Sequence, residues 1–351
     1  MKHRLPFSQK GGVMRKSSPA SSEVLWAGVD LAKLTFQVAI WGHLSFPEMQ
    51  CRSFDRTRKA MKGFLAWLRD QTPAGAKLGL VMEATGTFAE EMASWLMDLD
   101  STLWLAIVNP GQTSAFIKSL GFRNKTDDLD AKGLAKYGQE RRPVPWERPS
   151  PELAALKDLV RIRMDLINAR TAMHLRLTDH KRAAKRASDA MRKVILSLKT
   201  QIQQLDIAVK DQVAAFPELA HQMERYTSIC GVAQVTATTV MVELGDLRRF
   251  QRSRQLTAFA GLSPKRHQSG TSVNGKTRLC KQGSARVRAA LYMAASCAVR
   301  FNPDMKATYD RLLAQGKERR SALGAVMRKL LVLMRAVLIA DRAWQPMKVA
   351  A

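Results

Sequence analysis

The sequence predicts a mixed α/β domain followed by a mainly helical half, and three observations lead to this fold class. Between residues 23 and 150, strand-like apolar segments alternate with amphipathic helical segments, as in a mixed α/β sheet. From Pro151 to about Phe216, apolar residues keep a helical spacing of three and four. Four prolines between Arg141 and Pro151 separate the two parts, because proline cannot continue a helix.

The first domain should contain five strands and four helices. Segments rich in β-branched and aromatic residues predict strands at Leu25–Leu31, Thr35–Trp41, Gln50–Phe54, Lys77–Ala84 and Thr102–Val108. A turn around Ala32 and Lys33 joins the first two strands. Helical spacing of apolar residues predicts helices at Arg56–Asp70, Phe88–Leu99, near 112–120, and at 124–138.

The net charge points to a polyanionic partner. Hydrophobic residues make up 46% of the 351 residues, as in a globular protein, but the net charge is +27. Nucleic acid is the favoured partner, because Lys and Arg release counterions when they contact phosphates. A membrane surface is the competing partner. Against it, no basic helix has a clean apolar face, and the apolar stretch Leu330–Ala340 is short and interrupted by Arg335.

The positive charge is concentrated in two places. From Leu247 to Pro303 the chain has 12 Lys and Arg residues and no Asp or Glu, whereas residues 51–100 carry seven charges of each sign. A span without carboxylates suggests a surface built against phosphates, although a solvated helix face is the alternative. A second basic group lies on one side of a predicted helix, where Lys181 and Lys185, and likewise Arg182 and Arg186, are four residues apart.

The cysteines and the N-terminus place the chain in a reducing compartment. The four cysteines are scattered, without a CxxC pair, so we expect reduced thiols in a cytosolic protein rather than a zinc site. The first 22 residues are basic and lack the apolar segment of a signal peptide. They are interpreted as a disordered arm, with Met14 as an alternative start.

The helical half divides into a linker at 151–226 and a C-terminal domain at 227–351. The linker carries an apolar stripe at a spacing of three and four, formed by Val194, Leu198, Ile202, Leu205, Val209 and Phe216. A helix bundle within one chain and a coiled coil between chains explain this stripe equally well. Contact between chains would make the protein an oligomer, and we expect a dimer or a tetramer.

Four acidic residues form the most specific pattern of the first domain, at 23–150. Asp30 lies in an otherwise apolar strand and Glu83 ends another, where an unpaired charge is costly. Asp127 and Asp130 follow at i,i+3 on one helix face, and Asp128 points elsewhere. Four carboxylates carried by two strands and one helix suit divalent cations, and two Mg²⁺ ions about 3.5–4 Å apart can clamp a phosphodiester. Alternatively, Asp127 or Asp128 is simply a helix N-cap.

These motifs resemble a family of recombinases. The order of strands and acids resembles the ribonuclease-H-like fold, and more closely the RuvC-type resolvases with their Asp-Glu-Asp-Asp set. "GVDLAK", "MEATG" and "KTDDLDA" are similar to the DEDD transposases of insertion sequence one-ten and the Piv-type DNA invertases. "ICGVAQVTATTVMVELGDLRRF", "QLTAFAGLSPKRHQSG" and "KQGSARVRAALYMAA" resemble that family's second domain, so the likeness spans roughly Trp26 to Arg300.

The C-terminal half has candidate contacts of its own. "GVAQVTA" looks like a helix–hairpin–helix turn, in which Gly231 lets backbone N–H groups approach a phosphate, unless Gly231 merely ends a helix. A polar loop follows, with the basic residues Lys265, Arg266, Lys276 and Arg278. The resemblance implies that Ser269 in this loop is a nucleophile, a role that a loop serine rarely has on composition alone.

The resemblance implies an insertion-sequence transposase that cuts and rejoins donor and target DNA, using Mg²⁺ held by the acids and a covalent phosphoserine at Ser269. It also implies a bacterial, nucleoid-associated protein. Some members of the family are guided by a bridge RNA, which predicts a structured RNA partner. Two alternatives remain. A junction-specific endonuclease would use the same acids with water as the nucleophile, and a non-catalytic binding protein would leave the acids without a role.

Overall fold

The structure is a computed structural model that describes residues 24–40, 50–73, 75–122, 124–179, 185–269 and 273–346. The chain divides into two compact units, Met1–Glu147 and Arg148–Ala351, and each is described by itself. The division falls inside the proline-containing stretch Arg141–Pro151. The predicted N-terminal arm at 1–22 lies outside the described residues.

The first unit is built on a five-stranded mixed sheet, which confirms the mixed α/β prediction. Its strands are β1 (Val24–Leu31), β2 (Thr35–Ile40), β3 (Gln50–Asp55), β4 (Lys77–Glu83) and β5 (Trp104–Val108). They lie in the order β3-β2-β1-β4-β5. The three strands β1, β2 and β3 form an antiparallel meander, while β4 pairs in parallel with both β1 and β5.

Helices cover both faces of this sheet, and alternate residues of β1 pack against the helices on opposite faces. The helices are α1 (Ala60–Asp70), α2 (Phe88–Leu99), α3 (Pro110–Ser119) and α4 (Asp127–Arg141), close to the predicted bounds. Val29 of β1 belongs to the larger core, which includes Phe64 of α1 and Met92 of α2. Trp26 packs in a second core with Leu134 of α4. Because successive strand residues face opposite sides, Gly28 and Asp30 point to the α4 side.

The second unit is mainly helical. Its elements are α5 (Pro151–Asp179), α6 (Lys185–Ala215), α7 (Pro217–Thr227), α8 (Gln234–Leu244), a 3₁₀ helix (Leu247–Arg249), α9 (Ser253–Phe259), β6 (Pro264–Ser269), β7 (Val273–Leu279), α10 (Ala285–Phe301), α11 (Pro303–Ala314) and α12 (Arg319–Ile339). None of the helices in the described part of the chain is long and apolar enough to cross a membrane.

The long helices α5 and α6 pack on each other as a hairpin. Ile202 and Val209 of the predicted apolar stripe are buried, and Arg163 of α5 pairs with Asp206 of α6. Val194, near the start of the same stripe, is 42% exposed. The stripe therefore serves packing within the chain over part of its length, and contact between chains remains a prediction.

Two further features of the second unit differ from or refine the sequence analysis. The segment predicted as a polar loop around Ser269 is a two-stranded antiparallel hairpin, because β6 and β7 pair from Pro264–Leu279 to Ser269–Val273. The core of the C-terminal helices also includes Leu156 of α5 and Val213 of α6. The helical linker and the C-terminal domain thus share one core, although their boundary at 226 is still a prediction.

Candidate active site

Two of the predicted acids lie at the carboxyl ends of neighbouring strands. Asp30 is the penultimate residue of β1, and Glu83 is the last residue of β4. The parallel register pairs Gly28 with Val81 and Val29 with Met82, so Asp30 and Glu83 follow side by side at the same edge of the sheet. This edge is where open α/β sheets place ligands.

The other two acids lie in the first turn of α4. Thr126 is the N-cap of this helix, and its side chain accepts a hydrogen bond from the backbone N–H of Leu129 at 3.3 Å. The alternative that Asp127 or Asp128 caps the helix is therefore wrong. Asp127 and Asp128 both follow the cap. The carboxylates of Asp127 and Asp130 are therefore not needed for capping. Three carboxylates in the first turn also match the positive end of the helix dipole.

Gly28 brings α4 onto β1. A Cβ atom added at Gly28 would lie 2.1 Å from the carbonyl oxygen of Ala131 and 2.3 Å from the backbone nitrogen of Ala135. Only glycine allows two backbones to approach so closely. Because Asp30 is two residues farther along the same face of β1, this contact brings the N-terminal turn of α4 to Asp30.

The acids influence one another electrostatically. Burial of the carboxyl group, followed by the negative charges of Asp127, Asp130 and Glu83, raises the pKa of Asp30 from 3.8 to about 6. Lys125 opposes this rise, and its Nζ lies 3.9 Å from Asp130 Oδ2. One lysine does not balance four carboxylates, so the four acids leave an excess of negative charge at this edge of the sheet.

Neighbouring polar residues orient two of the carboxylates. Thr113, which is fully buried in α3, donates its hydroxyl hydrogen bond to Glu83 Oε1. Gln37 Nε2 donates to Asp128 Oδ1 at 2.5 Å, and Gln37 is the strand partner of Asp30. The Asp128 carboxylate is thus held by Gln37 of β2, and its predicted exclusion from the metal site stays a prediction. Sequence analysis missed both residues, although a glutamine inside "TFQVAI" was a visible signal.

These acids suit a divalent cation by the chemistry of their donors. Mg²⁺ prefers carboxylate oxygens, and a cation would offset the burial and the mutual repulsion that together raise the pKa of Asp30. Within the described part of the chain, no three acidic, histidine or cysteine side chains already converge on one point as a finished metal site. Binding therefore requires side-chain rotation, most readily at Asp127, which is exposed.

Ser269 lies in the second unit, at the end of the β6–β7 hairpin. It is the last residue of β6 and pairs with Val273 of β7. Its side chain is not among those described. Nearer the base of the hairpin, Lys265 and Arg278 pair across the two strands and are exposed. Arg266 and Lys276 are also predicted phosphate contacts of the hairpin, but their side chains are not among those described.

Other predicted nucleic-acid contacts are partly described. Lys185 and Arg186 are exposed in the first turn of α6, whereas Lys181 and Arg182 lie outside the described residues. Gly231 has a φ of +100°, and a Cβ there would lie 2.6 Å from Ala298 Cβ. Turn conformation and close packing on α10 therefore account for this glycine, and its role toward phosphate stays a prediction.

In the acid-free segment Leu247–Pro303, fewer basic residues are available to contact phosphates than the composition suggests. Arg248 pairs with Glu218 and Asp246, which both lie outside the segment. Other basic residues are exposed, as are two large aromatic side chains of α10, Tyr292 at 46% and Phe301 at 68%. The exposed basic residues of the segment include Arg252, Arg254, Lys265, Arg278, Lys281 and Arg300.

A buried carboxylate of α8 connects α5 with the N-terminus of α10. Glu243 of α8 has a side chain that is 7% exposed, and its oxygens accept hydrogen bonds from Arg161 Nε of α5 and Ser284 Oγ, each at 2.9 Å. Burial alone would raise the pKa of Glu243, but Arg161 and Ser284 outweigh it and hold the pKa below its ordinary value. Ser284 also caps α10, four residues beyond Cys280, which follows β7. Sequence analysis missed this cluster.

Comparison with known proteins identifies the family. A DEDD transposase model matches residues 27–181, and the model of the transposase IS116/IS110/IS902 family matches residues 223–310. The pilin gene-inverting protein of Moraxella bovis is 30% identical over 326 residues, covering 90% of this chain and 96% of its own length. The chain belongs to the IS110 family of transposases.

Other relatives of this transposase agree. The pilin gene-inverting protein of Moraxella lacunata is also 30% identical over 326 residues. The transposase for insertion sequence element IS1111A of Coxiella burnetii is 28% identical over 289 residues, or 74% of this chain and 73% of its own. The predicted family resemblance is therefore confirmed, and the transposase is a DNA-rearranging enzyme whose substrate is DNA.

Proposed function

We propose that this transposase cuts and rejoins DNA through a phosphoserine intermediate, with Mg²⁺ held by the DEDD acids. One observation carries the proposal: Asp30 and Glu83 end adjacent parallel strands, with Asp127 and Asp130 in the first turn of α4 beside them. Burial and the negative charges of the other three acids together raise the pKa of Asp30 to about 6. A cluster of carboxylates repels the phosphates of a polyanion unless a cation binds between them. Family membership supplies the DNA chemistry that this centre would serve.

The sheet supports a ribonuclease-H-like first unit. An antiparallel β1–β2–β3 meander continued by parallel β4 and β5 gives the strand order β3-β2-β1-β4-β5. In the proposed fold, the first acid belongs on β1 and the second on β4, which are the positions of Asp30 and Glu83. Within that fold, the proposed likeness is to the RuvC-type resolvases.

Each side chain of the acid cluster has a distinct task in this proposal. Asp30, Glu83, Asp127 and Asp130 would hold two cations, while Thr113 fixes the orientation of Glu83. Mg²⁺ bound there would supply Lewis-acid stabilisation of the charge that develops on the scissile phosphate. Gln37 keeps the Asp128 carboxylate on β2, away from this task.

Ser269 would supply the nucleophile. Its Oγ attacks the scissile phosphorus, the phosphorus–oxygen bond to one deoxyribose breaks, and that deoxyribose leaves as a free hydroxyl after taking up a proton. The proton of the serine hydroxyl passes to solvent. The resulting phosphoserine ester keeps the energy of the phosphodiester, so a hydroxyl of another strand can displace Ser269 and rejoin the DNA.

Capture of the covalent intermediate tests this function. Nicked suicide DNA, which cannot be religated, should trap a protein–DNA adduct on a denaturing gel, and mass spectrometry should map it to the peptide that contains Ser269. Ser269→Ala should bind DNA and form no adduct. Ser263→Ala, in the same segment, is the matched control and should form it normally.

Other outcomes of this experiment are also decisive. An adduct on Ser263, Ser272 or a tyrosine would contradict the assignment of Ser269 while preserving covalent catalysis. Efficient cleavage by the wild-type protein without any adduct would make water the nucleophile, and the transposase would then act as a structure-specific, Holliday-junction type of endonuclease.

We also propose a structured guide RNA as a partner, in the manner of the bridge RNA of some family members. The net charge of +27 and the exposed basic residues of the hairpin and of α6 support a polyanion beyond one DNA duplex. Sequencing of the RNA that copurifies with the transposase should give one enriched species from the noncoding end of the element. Random cellular RNA, with recombination that proceeds without added RNA, would contradict this part.

A further inference from the structure

The turn that follows Asp30 has an unusual construction. Ala32, Lys33 and Leu34 connect β1 to β2, and the hydrogen bond from Ala32 N to Thr35 O at 3.0 Å leaves Lys33 and Leu34 as the two residues at the tip of the turn. Two-residue hairpin turns that match the twist of their strands need a positive φ and favour Gly, Asn or Asp. Neither Lys33 nor Leu34 has a positive φ. The loop therefore lacks the residues that would stabilise it on their own.

Arg56 holds this turn from outside. Its Nε and Nη2 donate to the carbonyl oxygen of Lys33 at 3.0 and 2.8 Å, and its backbone N–H donates to the carbonyl oxygen of Leu34 at 2.7 Å. On α2, Glu91 accepts from Arg56 Nη1 at 2.6 Å, and the Phe88 ring lies 4.0 Å from the guanidinium carbon. The Arg56 side chain is only 11% exposed, so both turn carbonyls are fixed to the body of the first unit.

The turn that is held so firmly presents an apolar side chain to solvent. Leu34 is 75% exposed, and Lys33 beside it is exposed as well. A single exposed leucine is common on protein surfaces. Here, however, Arg56 donates three hydrogen bonds to the two carbonyl oxygens of the turn, two to Lys33 and one to Leu34, which holds the exposed Leu34 in a fixed position.

The position of the turn relates it to the acids. Leu34 follows Asp30 by four residues, and at about 3.3 Å per residue the turn lies at most about 13 Å from Asp30 along the chain. Base pairs are spaced by about 3.4 Å, so DNA bound with a phosphate at the acids has its nearest three or four base pairs within reach of the turn.

We propose that the Lys33–Leu34 turn is a DNA wedge: Leu34 inserts between stacked bases next to the cleavage site while Lys33 contacts the adjacent phosphate. Apolar side chains that enter base steps unstack and kink duplex DNA. Because the bases tend to restack, the turn that carries such a side chain has to be held in place. Arg56 is the positioning residue of this wedge. The inference rests on the proposed function, because it takes the acids as the site of strand cleavage. Double-stranded DNA is favoured over a second copy of the chain because Lys33 and the net charge of +27 suit phosphates.

Base unstacking can be measured apart from cleavage. Duplexes that contain an element end carry 2-aminopurine at successive positions around the cleavage site, and Ca²⁺ replaces Mg²⁺ during binding by the full-length transposase and its copurifying RNA. The wild-type protein should raise 2-aminopurine fluorescence at one step within about four base pairs of that site. Leu34→Ala should abolish this rise and slow cleavage about ten- to hundredfold, the loss expected for the contact area of one leucine.

Three comparisons separate the wedge from a general loss of charge or of surface area. Arg56→Lys keeps the charge but loses the two-pronged contact with Lys33 O, so it should lower the fluorescence rise, whereas Arg58→Ala, which removes an exposed ion pair with Asp98, should not. Val144→Ala, at an 82% exposed position of the same unit, is the control for Leu34→Ala. Asp127→Asn should unstack DNA normally and fail only in cleavage.

The outcomes distinguish failure of the wedge from failure of the proposed function. Unchanged fluorescence and cleavage in Leu34→Ala would overturn the wedge. A fall in the mass of the assembled complex in Leu34→Ala, with DNA unstacking intact, would assign the turn to contact between two copies of the chain and would also overturn it. Full cleavage by Asp127→Asn, with the Leu34→Ala effect intact, would instead overturn the role of the acids.

Discussion

Gly28 lies directly against the carbonyl oxygen of Ala131, so closely that a Cβ atom at Gly28 would be 2.1 Å from it. This contact joins the strand that carries Asp30 to the helix that carries Asp127 and Asp130. Both of the nearest neighbours of the missing Cβ are backbone atoms of α4, which cannot move without moving the helix. The arrangement of the acids therefore depends on the absence of one methyl group.

Gly28→Ala should destabilise the first unit and separate the acids. The steric overlap predicts a loss of about 3 kcal/mol or more in the free energy of unfolding, because the backbone of α4 must shift. Thermal denaturation followed by circular dichroism measures this loss. Gly63→Ala is the matched control: it lies in α1 with no atom within 4 Å of the added Cβ, and it should be neutral or slightly stabilising. Equal stability of the two variants would contradict the close packing.

Glu243→Gln should weaken the second unit in a pH-dependent manner. Because Arg161 and Ser284 hold the pKa of Glu243 below its ordinary value, the charged form stabilises the folded state above that ordinary value. The stabilisation is lost as the pH falls through the lowered pKa. The variant should therefore lose about 1–3 kcal/mol of unfolding free energy near neutral pH, since Arg161 is left without its charged partner.

The difference between wild type and Glu243→Gln should shrink as the solution is acidified, which urea denaturation at a series of pH values can follow. Asp310→Asn, which changes an exposed carboxylate of α11, provides the control and should show little difference at any pH. A stability gap that is independent of pH would show that the effect of Glu243→Gln comes from side-chain geometry and not from charge.

The exposed part of the apolar stripe predicts assembly. Val194, the first residue of the stripe, is 42% exposed on α6. Light scattering of the nucleic-acid-bound transposase should show a dimer or a tetramer, and Val194→Glu should shift it toward the monomer by placing a charge in the contact. Gln204→Glu, at another exposed position of α6, should not. Full recombination by a monomer would refute the prediction.

Much of the first unit could be predicted from the sequence, because its strands and helices have strong apolar periods. The positions of Asp30 and Glu83 at strand ends followed from the same patterns, and the structure places them on adjacent parallel strands. The close approach at Gly28 could not be predicted, since the glycine in "GVDL" gives no indication of which distant element it meets. The capping role of Thr126 was missed because three neighbouring aspartates are equally good caps in isolation.

The second unit was less predictable because its contacts join residues far apart in the chain. Glu243 and Arg161 are separated by 82 positions, and no local pattern connects them. The pairing of β6 with β7 was missed because "PKRHQS" and "VNGKTRL" are polar and the second carries glycine, which weakens the strand signal. The long helices were predicted well, since their apolar stripe extends over many turns.

The central claim, that Asp127 serves the chemistry and Asp128 does not, can be tested by comparing Asp127→Asn with Asp128→Asn in one assay of Mg²⁺-dependent DNA cleavage. The two residues are adjacent, exposed and in the same helical turn, but Asp128 is bound by Gln37 whereas Asp127 acts on Asp30. Asp127→Asn should abolish cleavage, by at least about a thousandfold, with DNA binding and melting temperature unchanged, whereas Asp128→Asn should cleave within a fewfold of wild type. Full cleavage by Asp127→Asn would contradict the account.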